Sequence, residues 1–240
     1  MSNQSVSQRL HHKLRNLISA AEPGERLPSE PKLARELGVS RATLREAMRT
    51  FETQGLIRRR QGSGTYVTHT SGVIETGLER LESIETLAQR KDLPVSIGEW
   101  NVEHRKATKE EAQALDIENG AEVVHVCRVI LAENRPVAYL VDVLPAEILN
   151  PDELGEDFSG SVLDHLLERG QPPLHSSRTE INAVTASRKV ARALGIQRGD
   201  VLLFFTAYLY GESGKVVDYS FSYFLPGYFR FHVVRRVGRA

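Results

Sequence analysis

The feature that most limits the possible folds of this chain is a pattern that occurs twice in its second half. ATKEEAQALDIENG begins at Ala107, and ASRKVARALGIQRG begins 79 residues later at Ala186. In each copy a hydroxyl residue suited to cap a helix comes second and a turn-forming glycine comes last. Two apolar, strand-like segments and a turn follow each copy. The repeat predicts two helix–hairpin units that share one sheet and leave a cleft between them, in an α+β domain with a largely antiparallel sheet.

The first 69 residues have a different, helical pattern. A first amphipathic helix is expected from about Ser5 to Glu22, before Pro23-Gly24. Ser29 is a good N-cap for a short second helix that Gly38 ends, and Ser40 caps a third helix running to about Gln54. Two short helices joined by a tight turn form a helix-turn-helix, whose second helix reads DNA.

A row of three arginines runs along the third helix. Arg41, Arg45 and Arg49 are four residues apart, so they lie on one stripe of a helix. The apolar residues of the segment lie on a different stripe and are expected to pack inward: Leu44, Ala47, Met48 and Phe51. A helix of this kind suits the major groove, where an arginine can make two hydrogen bonds to a guanine.

A short hairpin is expected after the third helix. Its strands are Leu56–Arg60 and Thr65–Val67, and its turn contains two glycines. Three consecutive arginines, Arg58, Arg59 and Arg60, could meet phosphates or the minor groove. A solvated edge strand protected from aggregation is the alternative for these arginines.

Charge and composition limit the partners. Residues 1–69 contain 12 Lys and Arg against 6 Asp and Glu, whereas residues 70–240 contain 19 against 25. Because residues 1–69 are basic and the rest of the chain is acidic, double-stranded DNA is the favoured partner of residues 1–69. The single Cys127 excludes an internal disulfide and favours a reducing, cytoplasmic setting. We expect no cofactor, no metal site and no membrane segment.

The N-terminal segment PGERLPSEPKLARELGVSRATLREAMRTFETQGLIRRRQGSGTYV resembles the winged helix-turn-helix of the GntR family of bacterial transcription regulators. The resemblance implies base or phosphate contacts by Arg41, Thr43 and Arg45, and contact at the helix N-cap by Ser40. It also implies wing contacts by Gln61 and Gly62. Many members have a DNA-contacting basic residue where this chain has Pro31; proline suits a first helical turn, so only a contact is lost.

The remaining 160 or so residues resemble the UTRA effector domain of the HutC subfamily, whose fold is similar to that of chorismate lyase. Such domains sense small metabolites, many of them anions. The resemblance implies effector contacts at Ser83, Arg128, Ser161 and Asp218. The alternative for Arg128 is an ion pair with a core carboxylate such as Asp142. Charged or hydroxyl groups of sugar-phosphate sensors are replaced here by apolar residues, which favours a less polar or singly charged ligand: Ile130, Leu140 and Leu163.

These observations predict a DNA-binding domain (1–69), a linker (70–79) and an effector-binding and dimerisation domain (80–240). The chain is expected to be a homodimeric transcription regulator, more often a repressor in this family, that a small anionic metabolite releases from its operator. Dimer contact is expected through a sheet edge or the tail Tyr228–Val234. The alternatives are an architectural DNA binder without an effector and an enzyme with a DNA-binding head. For the enzyme, His165 near Asp164 and Glu168 could form an acid–base pair, and a solvated helix face is the simpler explanation of these residues.

Overall fold

A computed structural model describes residues 6–22, 24–53, 55–60, 63–67, 74–154, 158 and 160–235. The chain forms two compact units, and most of the first comes from residues 1–73. Its elements are α1 (Val6–Ala20), α2 (Glu30–Leu37), α3 (Arg41–Thr53), β1 (Ile57–Arg60) and β2 (Gly64–Val67). The predicted helix-turn-helix and hairpin are therefore present.

The turn between α2 and α3 follows from its residues. Gly38 ends α2 with a φ of +68°, a left-handed conformation that glycine adopts without penalty. The Ser40 side chain accepts a hydrogen bond from the backbone N–H of Thr43 at 3.1 Å, which confirms it as the cap of α3. The four apolar residues of α3 predicted to face inward are all buried, in one core with residues such as Leu14 and Leu33.

The hairpin of the first unit is antiparallel, and Arg60 pairs with Gly64 at its end. A third backbone segment extends the pair, because Leu27 N–H bonds to the carbonyl of Thr65 and Val67 N–H bonds to that of Glu25, both at 2.8 Å. A three-helix core with such a hairpin is a winged helix-turn-helix. Gln61 and Gly62, the predicted contacts of the wing, lie outside the described residues.

The second unit is built around a six-stranded antiparallel sheet in the order β4-β5-β6-β9-β8-β7. Its first elements are β3 (Ile74–Gly77), α4 (Ile84–Arg90), β4 (Val95–Lys106), α5 (Lys109–Leu115), β5 (Glu122–Ala132) and β6 (Arg135–Pro145). A short 3-10 helix (Pro151–Glu153) and α6 (Val162–Arg169) come next. The chain continues with β7 (Leu174–Thr185), α7 (Arg188–Leu194), β8 (Val201–Gly211), β9 (Val216–Phe224) and β10 (Phe229–His232).

The sheet confirms the duplication. Each half supplies three adjacent strands, and the halves join where β6 pairs with β9, from Ala138–Phe224 to Val143–Tyr219. The repeated unit also includes the strand before the helix, since β4 and β7 begin 79 residues apart, as the two helices do. The predicted repeat therefore began one strand too late.

Different helices pack on the two faces of the six-stranded sheet. On one face α5 packs on β9 and α7 on β6, so each helix lies on the last strand of the other half. Tyr139 and Tyr223 pack together on this face, with ring centroids 6.1 Å apart. On the opposite face Val162 and Leu166 of α6 pack in one apolar cluster with Val126.

The predicted linker and tail meet in a two-stranded sheet. Residues 68–73 lie outside the described part of the chain, but residues 74–77 form β3, which pairs in parallel with β10. Phe229 of the predicted dimerisation tail packs against Phe224 inside the second unit, with ring centroids 4.6 Å apart. The strands β4 and β7 form the two edges of the large sheet. The domain boundaries at residues 69 and 79 remain a prediction.

Candidate DNA-binding surface and effector site

The predicted reading surface lies on α3. Arg41, Thr43 and Arg45 are exposed, and Arg49 is half-buried. Ser40 and Thr43 share a hydrogen bond between their hydroxyls at 2.8 Å, which orders the start of the helix. The side chains that the sequence assigns to DNA contact thus project from the side of α3 that the core leaves uncovered.

A carboxylate of α2 orients one of these arginines. The Nε of Arg45 donates to Oε2 of Glu30 at 2.7 Å. Glu30 is the first residue of α2 and directly follows Ser29, which occupies the N-cap position as predicted but makes no capping hydrogen bond with its side chain. Glu30 carried no prediction of its own from the sequence, although it belongs to the LPSE segment of the family resemblance.

The three arginines of β1 do not share one environment. Arg59 lies on the same side of the strand as the buried Ile57, and its Nη2 donates to the backbone carbonyl of Arg45 at 3.2 Å. Its guanidinium also lies 3.6 Å from Glu52 and 3.9 Å from Glu30. Arg59 therefore ties the wing to the two helices.

The neighbours of Arg59 face the other way. The guanidinium of Arg60 is exposed and lies over the ring of Tyr66, 5.1 Å from its centroid. Arg58 is half-buried. Phosphate contact by these arginines stays a prediction, and Arg60 is the most exposed of the three.

The second site centres on Arg128 in the middle of β5, a residue with only 3% of its surface exposed. Its Nη1 donates to Oε1 of Glu85 at 3.0 Å and to the carbonyl of Gly160 at 2.9 Å. Its Nη2 donates to Oδ2 of Asp142 at 3.1 Å. The ion pair with Asp142, which was the alternative prediction for Arg128, is present, and Glu85 is a second partner that was not predicted.

The two predicted serines meet beside Arg128 through one carboxylate. Ser83 caps α4 and donates from its hydroxyl to Oδ2 of Asp164 at 2.5 Å. Thr86 donates to the same oxygen at 3.2 Å. Ser161 caps α6 by accepting from the backbone N–H of Asp164 at 3.2 Å. Asp164 thus joins the starts of the two helices and is engaged away from its sequence neighbour His165, which contacts Glu153 at 3.3 Å.

Asp218 completes the group from the other half of the sheet. Strand register places Leu140 opposite Arg128 and Ser220 opposite Asp142. Because alternate residues share a face, Arg128, Asp142 and Asp218 lie along a diagonal of one sheet face. All four predicted effector residues are therefore brought to one place, which we call the Arg128 cluster: Ser83, Glu85, Arg128, Asp142, Ser161, Asp164 and Asp218.

The carboxyl groups of the Arg128 cluster are not equivalent. Burial raises the pKa of Asp218 well above its ordinary value, and the neighbouring Asp142 raises it further. Burial also raises the pKa of Asp142 and of Glu85, and the positive charge of Arg128 opposes both shifts. Removal from water penalises the charged form, so these buried carboxyls hold protons more readily than carboxyls in water, although Arg128 partly offsets the effect.

Three buried polar atoms of the Arg128 cluster have no hydrogen-bond partner among the described residues: Nε of Arg128, Oε2 of Glu85 and Oδ1 of Asp218. Buried polar atoms in folded proteins are nearly always paired. The cluster therefore has one donor and two acceptors available for a small polar ligand or for water.

Within the described ranges, no group of three or more His, Cys, Asp or Glu side chains is arranged to hold a metal ion. None of the helices in these ranges combines the length and apolar character needed to span a membrane.

A winged helix-turn-helix with arginines along its third helix, followed by a duplicated α+β unit, is an architecture of DNA-binding transcription regulators. The model of bacterial regulatory proteins of the gntR family matches residues 6–67, and the UTRA domain model matches residues 100–230. The chain belongs to the GntR family and to its HutC subfamily of transcriptional regulators.

Named relatives support this assignment. The chain is 29% identical to the HTH-type transcriptional repressor NagR of Bacillus subtilis, over 83% of this chain and 81% of the relative. It is 30% identical to the histidine utilization repressor of Pseudomonas putida, over 75% and 71%. PhnF from Mycobacterium smegmatis shares the fold, with a TM-score of 0.63 at 20% identity over 95% of this chain and all of PhnF.

Proposed function

We propose that this protein is a homodimeric repressor that binds a pseudo-palindromic operator and leaves it when a small metabolite with an acidic group binds the Arg128 cluster. The observation that carries the proposal is the joint presence of an exposed reading helix and a buried polar cluster with unpaired atoms. The Bacillus subtilis and Pseudomonas putida relatives named above are repressors, which supports the sign of regulation.

In this proposal α3 enters the major groove and its first turns contact base edges. Arg45 is the best candidate for base recognition, because Glu30 holds its guanidinium in place while leaving most of its surface exposed. An oriented arginine loses less conformational freedom on binding than a free one. Ser40, Arg41 and Thr43 at the start of the helix, and Arg49 further along it, would add phosphate or base contacts.

The wing would bind the DNA backbone. Arg60 is exposed at the end of β1 and is followed in the sequence by Gln61 and Gly62, the predicted wing contacts. Arg58 and Arg59 belong to the same predicted surface. The internal contacts of Arg59 favour a role in fixing the wing against α3, with any phosphate contact secondary.

Effector binding would act through α4. Glu85 and Ser83 of the Arg128 cluster lie on or beside α4, which packs near β3 where the predicted linker ends. A ligand that displaced Glu85 from Arg128 would shift α4 and, through the linker, bias the DNA-binding heads. An effector must prefer the released state by about 5 kcal/mol to switch occupancy almost completely.

Dimerisation would use the second unit. The phenylalanines of the tail pack within that unit, so an edge of the large sheet is the better candidate of the two considered. A two-fold dimer would match two operator half-sites related by the same symmetry.

The test is Arg45→Ala, measured by fluorescence anisotropy with an operator and with variants changed at single base pairs. Loss of a bidentate contact should weaken operator binding by roughly 1–3 kcal/mol and relax specificity at one base pair. Arg15→Ala on α1 removes the same charge from an exposed position of the head and should leave specificity intact. Uniform weakening on all sequences by Arg45→Ala would assign Arg45 to phosphate contact.

A further inference from the structure

We infer that the ligand of the Arg128 cluster carries a protonated amine as well as an acidic or carbonyl group, as an amino acid or an amino sugar phosphate does. The inference rests on the proposed function and specifies the chemistry of its effector. An acidic effector without an amine, the simplest expectation for a family of metabolite sensors, fits this cluster less well.

The first reason is the balance of charge. One guanidinium stands among four carboxyl groups, those of Glu85, Asp142, Asp164 and Asp218. A purely anionic ligand would have to approach these carboxyls and compete with Glu85 and Asp142 for the same guanidinium. A further negative charge raises the pKa values of these carboxyls still more and has to be offset by protons taken up with the ligand, whereas an ammonium group compensates ionised carboxylates directly.

The second reason is which atoms lack partners. Oε2 of Glu85 and Oδ1 of Asp218 are acceptors without a donor, and Nε of Arg128 is a donor without an acceptor, among the described residues. Arg128 and Asp218 have 3% and 6% of their surface exposed, so solvent does not readily satisfy them. An ammonium group has three N–H donors for the two carboxyl oxygens, and an adjacent acidic or carbonyl oxygen can accept from Arg128.

The third reason is the placement of these atoms on different elements. Glu85 is on α4, Arg128 on β5 and Asp218 on β9, and the first two are within 3.0 Å of each other. A ligand that pairs with all three would bridge the helix to both halves of the sheet. The raised pKa values of Glu85 and Asp218 agree, because an arriving ammonium would allow these carboxyls to ionise and release protons.

The experiment uses the purified full-length chain and pairs of compounds that differ at the amine. The pairs are L-glutamate with 2-oxoglutarate, L-alanine with L-lactate, and glucosamine 6-phosphate with glucose 6-phosphate. Binding is followed by thermal shift and by the fluorescence of Trp100, the single tryptophan, which lies opposite Arg128 on β4. We expect at least one amine compound to bind at least tenfold more tightly than its partner, with net proton release in calorimetry.

Two variants test the residues. Glu85→Gln keeps the shape and an acceptor for Arg128 but removes the charge, so it should reduce the preference for the amine about tenfold. Glu118→Gln, at an exposed loop position of the same unit, is the matched control and should retain the preference. If Glu85→Gln does not fold, the ratio of the affinities of the wild-type chain for the two compounds of each pair still tests whether the ligand carries an amine.

The outcomes separate this inference from the proposed function. Equal or tighter binding of the compounds without an amine, with release of operator DNA, would overturn the inference and leave the repressor proposal standing. Absence of an amine-dependent response in every pair would also overturn the inference. Failure of the chain to bind any operator would instead overturn the proposed function.

Discussion

Arg128→Ala is the substitution that most sharply tests the packing of the second unit. Arg128 is almost fully buried and makes three hydrogen bonds, two of them to the carboxylates of Glu85 and Asp142. Its removal leaves these carboxyls buried without a counter-charge. Breaking a buried ion pair from one side costs about 3–5 kcal/mol, so we expect a loss of this size in the free energy of unfolding near neutral pH.

The loss should depend on pH in a defined direction. The pKa values of Glu85 and Asp142 are already raised by burial, and Arg128 opposes that rise. Without Arg128 both pKa values increase further in the folded state. At a given pH these two carboxyls then hold more protons in the folded chain than in the unfolded chain. A raised carboxyl pKa makes stability fall as pH rises, and the variant should therefore lose more stability at pH 8 than at pH 5.

The assay is urea unfolding followed by the fluorescence of Trp100, which reports on the second unit because the chain has no other tryptophan. The control is Arg178→Ala, which removes an exposed arginine paired with Glu180 on the edge strand β7. Exposed pairs contribute about 0–1 kcal/mol, so this variant should change little. A loss below about 1 kcal/mol for Arg128→Ala, or no dependence on pH, would refute the assignment of Arg128 as the buried counter-ion.

Three further substitutions have defined outcomes. Glu30→Gln removes the carboxylate that orients the reading arginine, and should lower the ratio of operator to non-specific affinity roughly fivefold, or about 1 kcal/mol, in competition binding assays. The hydrogen bonds from Arg105 lower the pKa of Glu111 from 4.5 to about 2. The free energy of unfolding of the wild-type chain should therefore decline as the pH falls from 4.5 through 2. Glu111→Gln should remove the part of this decline that comes from Glu111, as measured by unfolding at a series of acidic pH values. Asp116 ends α5 with a φ of +53°, where the equivalent residue of the repeat is Gly195. Asp116→Gly should therefore raise the free energy of unfolding by about 0.5 kcal/mol, and a decrease would show that its side chain has a stabilising role.

The helices and their ends were predictable because local chemistry decides them. Ser40, Ser83 and Ser161 each cap a helix through a hydrogen bond to a backbone N–H of the first turn, and Gly38 takes the left-handed conformation expected of a helix end. Such interactions involve residues three or four apart, so the sequence contains all the information they need.

The first strand of each repeat was not predicted as part of the repeat. The strands β4 and β7 are edge strands with many exposed positions on both faces, so little burial constrains their side chains. Without the alternation that a half-buried strand requires, VSIGEWNVEHRK and LHSSRTEINAVT share no recognisable pattern. Their equivalence is visible only in the order of the strands in the sheet.

The Arg128 cluster was predictable only in part. Arg128 and Asp142 occur in neighbouring apolar strands, where a charge needs a partner, and their pairing was foreseen as the alternative. Glu85 resembled an ordinary acidic residue in a first helical turn, and its approach to Arg128 depends on how α4 packs on the sheet. The inward position of Arg59 could have been read from alternation with Ile57, but the row of three arginines suggested a uniform surface.

The proposed function depends on recognition of a particular DNA sequence by α3 in each subunit of a two-fold dimer. DNase I footprinting of the full chain on the DNA upstream of its own gene tests this directly. We expect two protected half-sites related by two-fold symmetry, with centres about 10 base pairs or a multiple of that apart, at protein concentrations that leave other DNA unprotected. Protection without a palindrome, or equal protection of unrelated sequences, would contradict it.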